Sequence, residues 1–560
     1  MRKVSLLLVA ASVFVVAGAS ARETGLASAR AEPNALSYGA YLSARIAADQ
    51  HDMEDAARFY RQSLDRDPND PTLLALAFFY ATSAGEIDDA GGLAKRLIAS
   101  APDDRASRLV LAVAAMKHGD YKEAREQIGK SAKSNFTSIT VGLLDAWAAA
   151  GAGDEEGVTE DLKALHAMPG TDAMAGFHQA LMFEYLNKTA AADAAYNDAL
   201  KVDVPSPRLV DAYGRFLERN GRAADASAFY SRLAGNGALA PIIAAGQARI
   251  AKGEKPDPLI KRPQDGVAEA LFGIAASLTE DSSADVSVLY LRLTLYLKPD
   301  FDLANILLGD RMETLQKYAD AIAAYRKVGG DSPYHRLAAI QIATDEARID
   351  KTDDAIRDLK ALTAEDANDV TSWTALGDAY RASNRFDEAA AAYDHAVKAL
   401  GTPAKKDWPL FYARAIAKDK SHDWASAEAD LKLALTLSPE EPQILNYLGY
   451  SYVDQGRNIP QALVMLEKAR SLKPYDGYIV DSVGWAYYKL GRYGDAAKTL
   501  GDAVLLVPGD PTINDHYGDA LWKVGKKLDA RFQWNHAIAF GAEDSEKSQI
   551  EKKLQTDSGG

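Results

Sequence analysis

Between Asp369 and Ala399 the polar and apolar positions fall into two short helical periods. Trp373, Leu376, Gly377 and Tyr380 recur at three- and four-residue steps, which puts them on one face of a helix. A polar break follows at Ser383-Asn384-Arg385, and Ala389, Tyr393 and Ala396 then mark a second helical face, with Pro403 beyond it. The pattern predicts two antiparallel helices. Gly377 and Ala389 are small where the two would cross, and Trp373, Tyr380 and Tyr393 are expected to fill the gap to a neighbouring pair. The same spacing returns elsewhere. Ala321, Ala355 and Ala389 stand 34 residues apart, as do Gly309, Ala343 and Gly377. Gly484 and Gly518, Ala496 and Ala530, and Pro474 and Pro508 keep the step, and so do Ala56, Ala90 and Ala124, with Pro68 and Pro102.

These columns resemble the tetratricopeptide repeat, a helix-turn-helix unit of about 34 residues, over roughly 500 residues of the chain. The resemblance implies an all-α fold, a TPR α-solenoid in which antiparallel helical pairs stack into a superhelix. One pair cannot bury its apolar face alone, so the stack supplies the core.

Taken in order, the chain divides into five stretches. Residues 1–21 read as a signal peptide: Arg2 and Lys3 lead an apolar run from Val4 to Gly18, and Ala19-Ser20-Ala21 offers small residues for cleavage. Ala29-Arg30-Ala31 is a second cleavage candidate, which would move the boundary to 31. An N-terminal arm is expected over 36–234. Its junction Asp67-Pro68-Asn69-Asp70-Pro71 lets Asp70 cap the next helix and puts Pro71 in the first turn. Gly509-Asp510-Pro511 repeats that arrangement, and His118-Gly119-Asp120 and Asn220-Gly221-Arg222 supply glycines where helices end. The density of prolines over 235–266, from Pro241 through Pro256, Pro258 and Pro263, predicts an irregular joint. A C-terminal arm follows over 267–542, and 543–560 reads as a capping helix and tail.

Composition narrows the partners. The net charge of −15 and the absence of any basic run argue against nucleic acid or an anionic membrane surface. There is no cysteine among the 560 residues, which removes disulfides, thiolate metal sites, cysteine nucleophiles and a lipid-modified N-terminus. Beyond the leader no stretch is apolar enough to span a membrane, so no integral span is expected after cleavage. An export signal on a cysteine-free chain points to the periplasm of a Gram-negative bacterium.

Catalytic and cofactor patterns are missing. The nine histidines are scattered, with no pair at metal-ligand spacing, no phosphate-binding glycine loop and no nucleophile elbow. No enzyme, no cofactor and no metal is expected. What remains is the groove that stacked first helices line. In the last three repeats the groove positions are Asn446, Tyr450, Tyr478, Asp481, Trp485, Tyr488, Asp515, Asp519 and Trp522, with His516 at the same edge. Tyrosine and tryptophan give large contact area with few rotors, and the interspersed acids suit a peptide with basic or amide groups. Some of these aromatics are expected to seal the seams between repeats.

The segments around Asn446-Tyr447-Leu448-Gly449-Tyr450, Asp481-Ser482-Val483-Gly484-Trp485 and His516 to Trp522 resemble exported TPR proteins of Proteobacteria, including adaptors of carboxyl-terminal processing proteases. The resemblance implies a periplasmic scaffold for a protein or extended peptide, with an envelope protease or assembly enzyme as partner. Those adaptors are typically lipoproteins, which a chain without cysteine is not. Tyr450, Trp485 and Trp522 would also stack on sugar rings, so envelope polysaccharide binding or secretion stands as the alternative. Oligomeric state is not legible here.

Overall fold

The computed structural model describes residues 35–132, 135–168, 170–201, 205–235, 237–280 and 283–555. The expected signal peptide and the tail 556–560 lie outside the described residues. Among the described residues every regular element is helical, and the chain forms two compact units, 1–351 and 352–560.

The first unit holds eighteen α-helices: α1 Ala35–Asp49, α2 Met53–Arg66, α3 Pro71–Ala84, α4 Ile87–Ser100, α5 Arg105–Lys117, α6 Tyr121–Gly129, α7 Asn135–Ala152, α8 Glu155–His166 and α9 Asp172–Tyr185 in its first half. Then come α10 Thr189–Ala199, α11 Pro207–Arg219, α12 Ala223–Leu233, α13 Ala240–Lys252, α14 Pro263–Ser277, α15 Ala284–Leu297, α16 Asp302–Thr314, α17 Tyr318–Tyr325 and α18 His335–Arg348. The second unit runs from α19 Thr352–Glu365 through α20 Val370–Ala382, α21 Phe386–Leu400, α22 Trp408–Lys420, α23 Trp424–Leu437 and α24 Pro442–Asp454. It ends with α25 Ile459–Leu472, α26 Gly477–Lys489, α27 Tyr493–Leu506, α28 Pro511–Lys523, α29 Lys527–Ala539 and α30 Asp544–Gln555.

The helix starts follow the local chemistry. The Asp70 carboxylate accepts from the backbone N–H groups of Thr72 and Leu73 at 2.7 and 2.9 Å, with Pro71 in the first turn of α3. Asp510 accepts from Ile513 in the same way at the head of α28. Gly119 and Gly221 take φ of +75° and +74° between paired helices, the left-handed region that glycine enters freely. Small positions meet large ones within each pair. A methyl group at Gly377 would overlap the ring of Tyr393, and one at Gly518 the ring of Trp534. Tyr393 therefore packs inside its own pair, with its hydroxyl donating to Asp378 at 2.7 Å, rather than into the neighbouring one. Trp373 also departs from expectation: it is half-exposed and stacks on His395 with ring centroids 4.3 Å apart.

The irregular joint expected over 235–266 is largely helical. Pro241 lies in the first turn of α13 and Pro263 in the first turn of α14, where a proline costs no hydrogen bond. Only the stretch between them, with Pro256 and Pro258, runs without helix. The chain does not separate there. Instead α14 and α15 turn back onto the first helices of the earlier pairs. Gly266 of α14 lies against Trp147 of α7, and Arg292 of α15 donates from Nε to the Ser83 carbonyl at the end of α3 at 3.2 Å. The Tyr296 hydroxyl donates to Asp88 at 2.6 Å, and Lys117 of α5 donates to the Tyr296 carbonyl at 2.6 Å. Both helices are apolar around most of their circumference and are buried along most of their length, as such helices must be. The boundary between compact units falls at 351 and 352 instead.

Candidate functional site

The groove residues of the second unit lie on α24, α26 and α28, the first helices of three successive pairs. Gly449, Gly484 and Gly518 turn toward Leu466, Leu500 and Trp534 of their partner helices, which fixes the opposite register for the residues that follow them. Two clusters result.

The first is built around Trp485. Its ring lies between Tyr488, with centroids 4.7 Å apart and planes 5° from parallel, and His516, at 3.9 Å and 11°. Lys489 Nζ sits 5.0 Å from the centroid of the Trp485 ring, a cation–π arrangement. His516 Nδ1 is 3.0 Å from Asp481 Oδ1, so the imidazole bridges α28 to α26. Burial disfavours the imidazolium, but Asp481, with Asp515 and Asp519 behind it, outweighs that and raises the His516 pKa. Burial, then Asp519, pushes the Tyr488 phenol up to about 12.

The second cluster belongs to α28, α29 and α30. Lys553 Nζ donates to both oxygens of Asp515 at 2.8 Å and to Asp519 Oδ2 at 2.9 Å. Trp534 Nε1 donates to Asp519 at 3.1 Å, and its ring meets Trp522 at 5.3 Å. Burial and the neighbouring Asp519 raise the pKa of Asp515 in spite of Lys553.

Four of the expected groove residues are therefore seam residues. Asp481, Trp485, Asp515 and His516 are only 6, 9, 9 and 7% exposed, because successive first helices lie close enough for their polar groups to pair. Tyr450, Tyr488, Asp519, Asn446 and Trp522 are half-buried, while Tyr478 at the head of α26 is exposed and joins neither cluster. The Asn446 side-chain carbonyl has no hydrogen-bond partner among the described residues. Lys553 and Trp534 were not anticipated. Lys553 stands 34 positions after Asp519, so the repeat period carried into the final helix would have placed it in the same column.

The His516 pairing has a pH signature. Its folded pKa lies above the unfolded value of about 6.5, so its contribution is complete below that pH and disappears as pH rises through the folded pKa. His516→Gln is expected to lose protection of α26 and α28 amides at pH 6, by about 1 kcal/mol, and to lose less of it at pH 9. Hydrogen exchange at the two pH values measures this. Equal losses at both would remove the charged pairing.

Comparison with known proteins bears on this architecture. A sequence-family description of the tetratricopeptide repeat matches residues 80–138, 340–402 and 484–546, the last of which includes Trp485, Tyr488, Asp515, His516, Asp519, Trp522 and Trp534. These three stretches carry tetratricopeptide repeats. It is similar to the TPR repeat-containing protein PA4667 of Pseudomonas aeruginosa, 27% identical over 220 residues, which make up 39% of this chain and 36% of that protein. It is also similar to the cytochrome c-type biogenesis protein CycH of Rhizobium meliloti, 34% identical over 110 residues, 19% of this chain and 28% of that one. The chain thus spans about a third of the length of the curated relatives it matches. Among solved structures, the Cut9 and Hcn1 hetero-tetramer of the APC/C is similar over 93% of this chain and 96% of that one, at 15% identity and a TM-score of 0.39. MamA AMB-1 is similar over 30% of this chain and 96% of its own, at 18% identity and a TM-score of 0.27. Stacked units of this kind form extended concave surfaces suited to binding. No helix among the described residues is long and apolar enough to cross a membrane.

Proposed function

We propose that this TPR chain is an exported, non-enzymatic adaptor of the bacterial envelope. It holds an extended segment of a protein partner along α24, α26 and α28 and presents it to a processing protease or an assembly enzyme. One observation carries the reading. In the first unit the first helices of the early pairs are covered by the chain's own α14 and α15, whereas α24, α26 and α28 keep Tyr450, Tyr488 and Trp522 half-exposed beside Asp519 and Lys553. Aromatic surface with neighbouring charges of both signs suits a mixed, extended polypeptide. The leader at residues 1–21 supports export to the periplasm. The name of the CycH relative, a biogenesis protein, agrees in kind with an assembly role.

The test is cross-linked capture from a periplasmic extract by the parent and by a Tyr450→Ala, Trp522→Ala variant of unchanged circular dichroism. Both replaced side chains are only half-buried, so the fold is expected to tolerate the change. The variant should recover at least tenfold less of the parent's specific partner. Equal recovery of the same partner by both would put the binding face elsewhere.

A further inference from the structure

The first unit contains a cavity of about 660 Å³ between α9, α11, α14 and α16, with Tyr334 at its rim. That volume lies within the range of sites that enclose a small organic ligand, about 300–1,000 Å³. Its walls are mainly apolar, set by Met174, Phe177, Phe272 and Leu303.

Gly273 of α14 belongs to this wall, and no packing demand explains it. Gly266, two turns earlier in α14, is required because a side chain there would overlap the Trp147 ring. A methyl group at Gly273 would meet only the Met174 terminal methyl, at 3.4 Å, which is ordinary contact with a flexible side chain. A glycine inside a helix costs about 1 kcal/mol against alanine. Here its effect is to leave the cavity open.

The polar groups define what the cavity accepts. Arg208 forms a two-pronged pair with Glu269, with Nε 2.8 Å from Oε1. Arg208 is the cation of this wall, and its charge is already matched by that carboxylate rather than left for an anionic headgroup. His178 is 1% exposed, and burial lowers its pKa to about 3, so the ring is neutral. Its Nδ1 accepts the Trp147 indole N–H at 3.0 Å, which assigns the remaining proton to Nε2. The Tyr334 phenol, which burial and then Asp211 push up to about 12, is a neutral hydroxyl. The unpaired polar capacity at this wall is thus that of neutral donors.

We propose that this cavity binds a neutral, predominantly apolar small molecule carrying a hydrogen-bond acceptor, such as an acyl ester or amide, and discriminates against the corresponding carboxylate. The apolar tail fills the space beside Gly273, and the acceptor meets the hydroxyl of Tyr334 or the Nε2–H of His178.

The experiment uses the full chain with N-phenyl-1-naphthylamine as a fluorescent apolar probe, displaced by monolauroylglycerol or by laurate at pH 8, all below micellar concentrations. The probe is expected to bind, and monolauroylglycerol to displace it at least tenfold more effectively than laurate. Gly273→Leu, which projects a bulky side chain into the cavity, should reduce probe binding at least tenfold with circular dichroism unchanged. Tyr334→Phe, which keeps the ring, should leave probe binding intact and narrow the preference for monolauroylglycerol severalfold. Absence of probe binding, unaltered binding in a folded Gly273→Leu, or equal displacement by laurate would each overturn the proposal.

Discussion

Trp147→Ala is expected to destabilise the first unit by about 3–5 kcal/mol, the cost of deleting a fully buried aromatic side chain. Trp147 is 0% exposed, and its ring lies where α7 meets Gly266 of α14. It also touches His178 and Tyr185 edge-on, with ring centroids 6.2 Å away in both cases. The substitution therefore leaves a large cavity and strips His178 Nδ1 of its donor inside an apolar region, two penalties that add. Urea unfolding gives the magnitude, and hydrogen exchange gives the place: amides of α14 and α15 should lose protection before those of α19 to α30. A loss below about 1 kcal/mol would mean that α14 does not depend on this contact.

The second large effect concerns the buried ion pair of Arg208 and Glu269. The carboxyl of Glu269 is 3% exposed and the guanidinium of Arg208 15%. Burial alone would lower the Arg208 pKa, but the carboxylates of Glu269 and Asp211 outweigh it and raise it, so the charge is held there. Arg208 also lies over the Phe301 ring, with the guanidinium carbon 4.8 Å from its centroid. Replacing Glu269 by Ala strands that cation and is expected to cost about 3–5 kcal/mol. Removing both partners with Arg208→Met and Glu269→Met should cost much less than the sum of the single changes, because neither then leaves an unpaired charge. A double-mutant cycle on unfolding free energies decides it. Strict additivity would show that the two side chains are not coupled.

The helical pairs were legible in the sequence because their physics is local. Gly377 opposite Tyr393 and Gly518 opposite Trp534 are complementary volumes sixteen residues apart, and Asp70-Pro71 and Asp510-Pro511 start helices by contacts within one turn. Lys553 was legible in principle, since it continues a column of the 34-residue period, but α30 is polar on most faces and reads as a cap. The groove was located in part. Spacing put Trp485, His516 and Asp481 on neighbouring first helices, but spacing does not state how near those helices approach, and at 3.0 Å Asp481 and His516 bind each other in the seam.

The prolines of 235–266 misled because proline marks a helix start as readily as a break, and Pro241 and Pro263 each lie in a first turn. Sequence by itself determined the repeating pair, its length, its caps and its small-against-large packing, since each is settled within about 34 residues. Tertiary structure alone decided that α14 and α15 fold back onto α3, α5 and α7, and with them the Arg208–Glu269 pair and the cavity beside Gly273. The reason is that an all-round apolar helix must be buried, but its pattern carries no record of which distant surface will bury it.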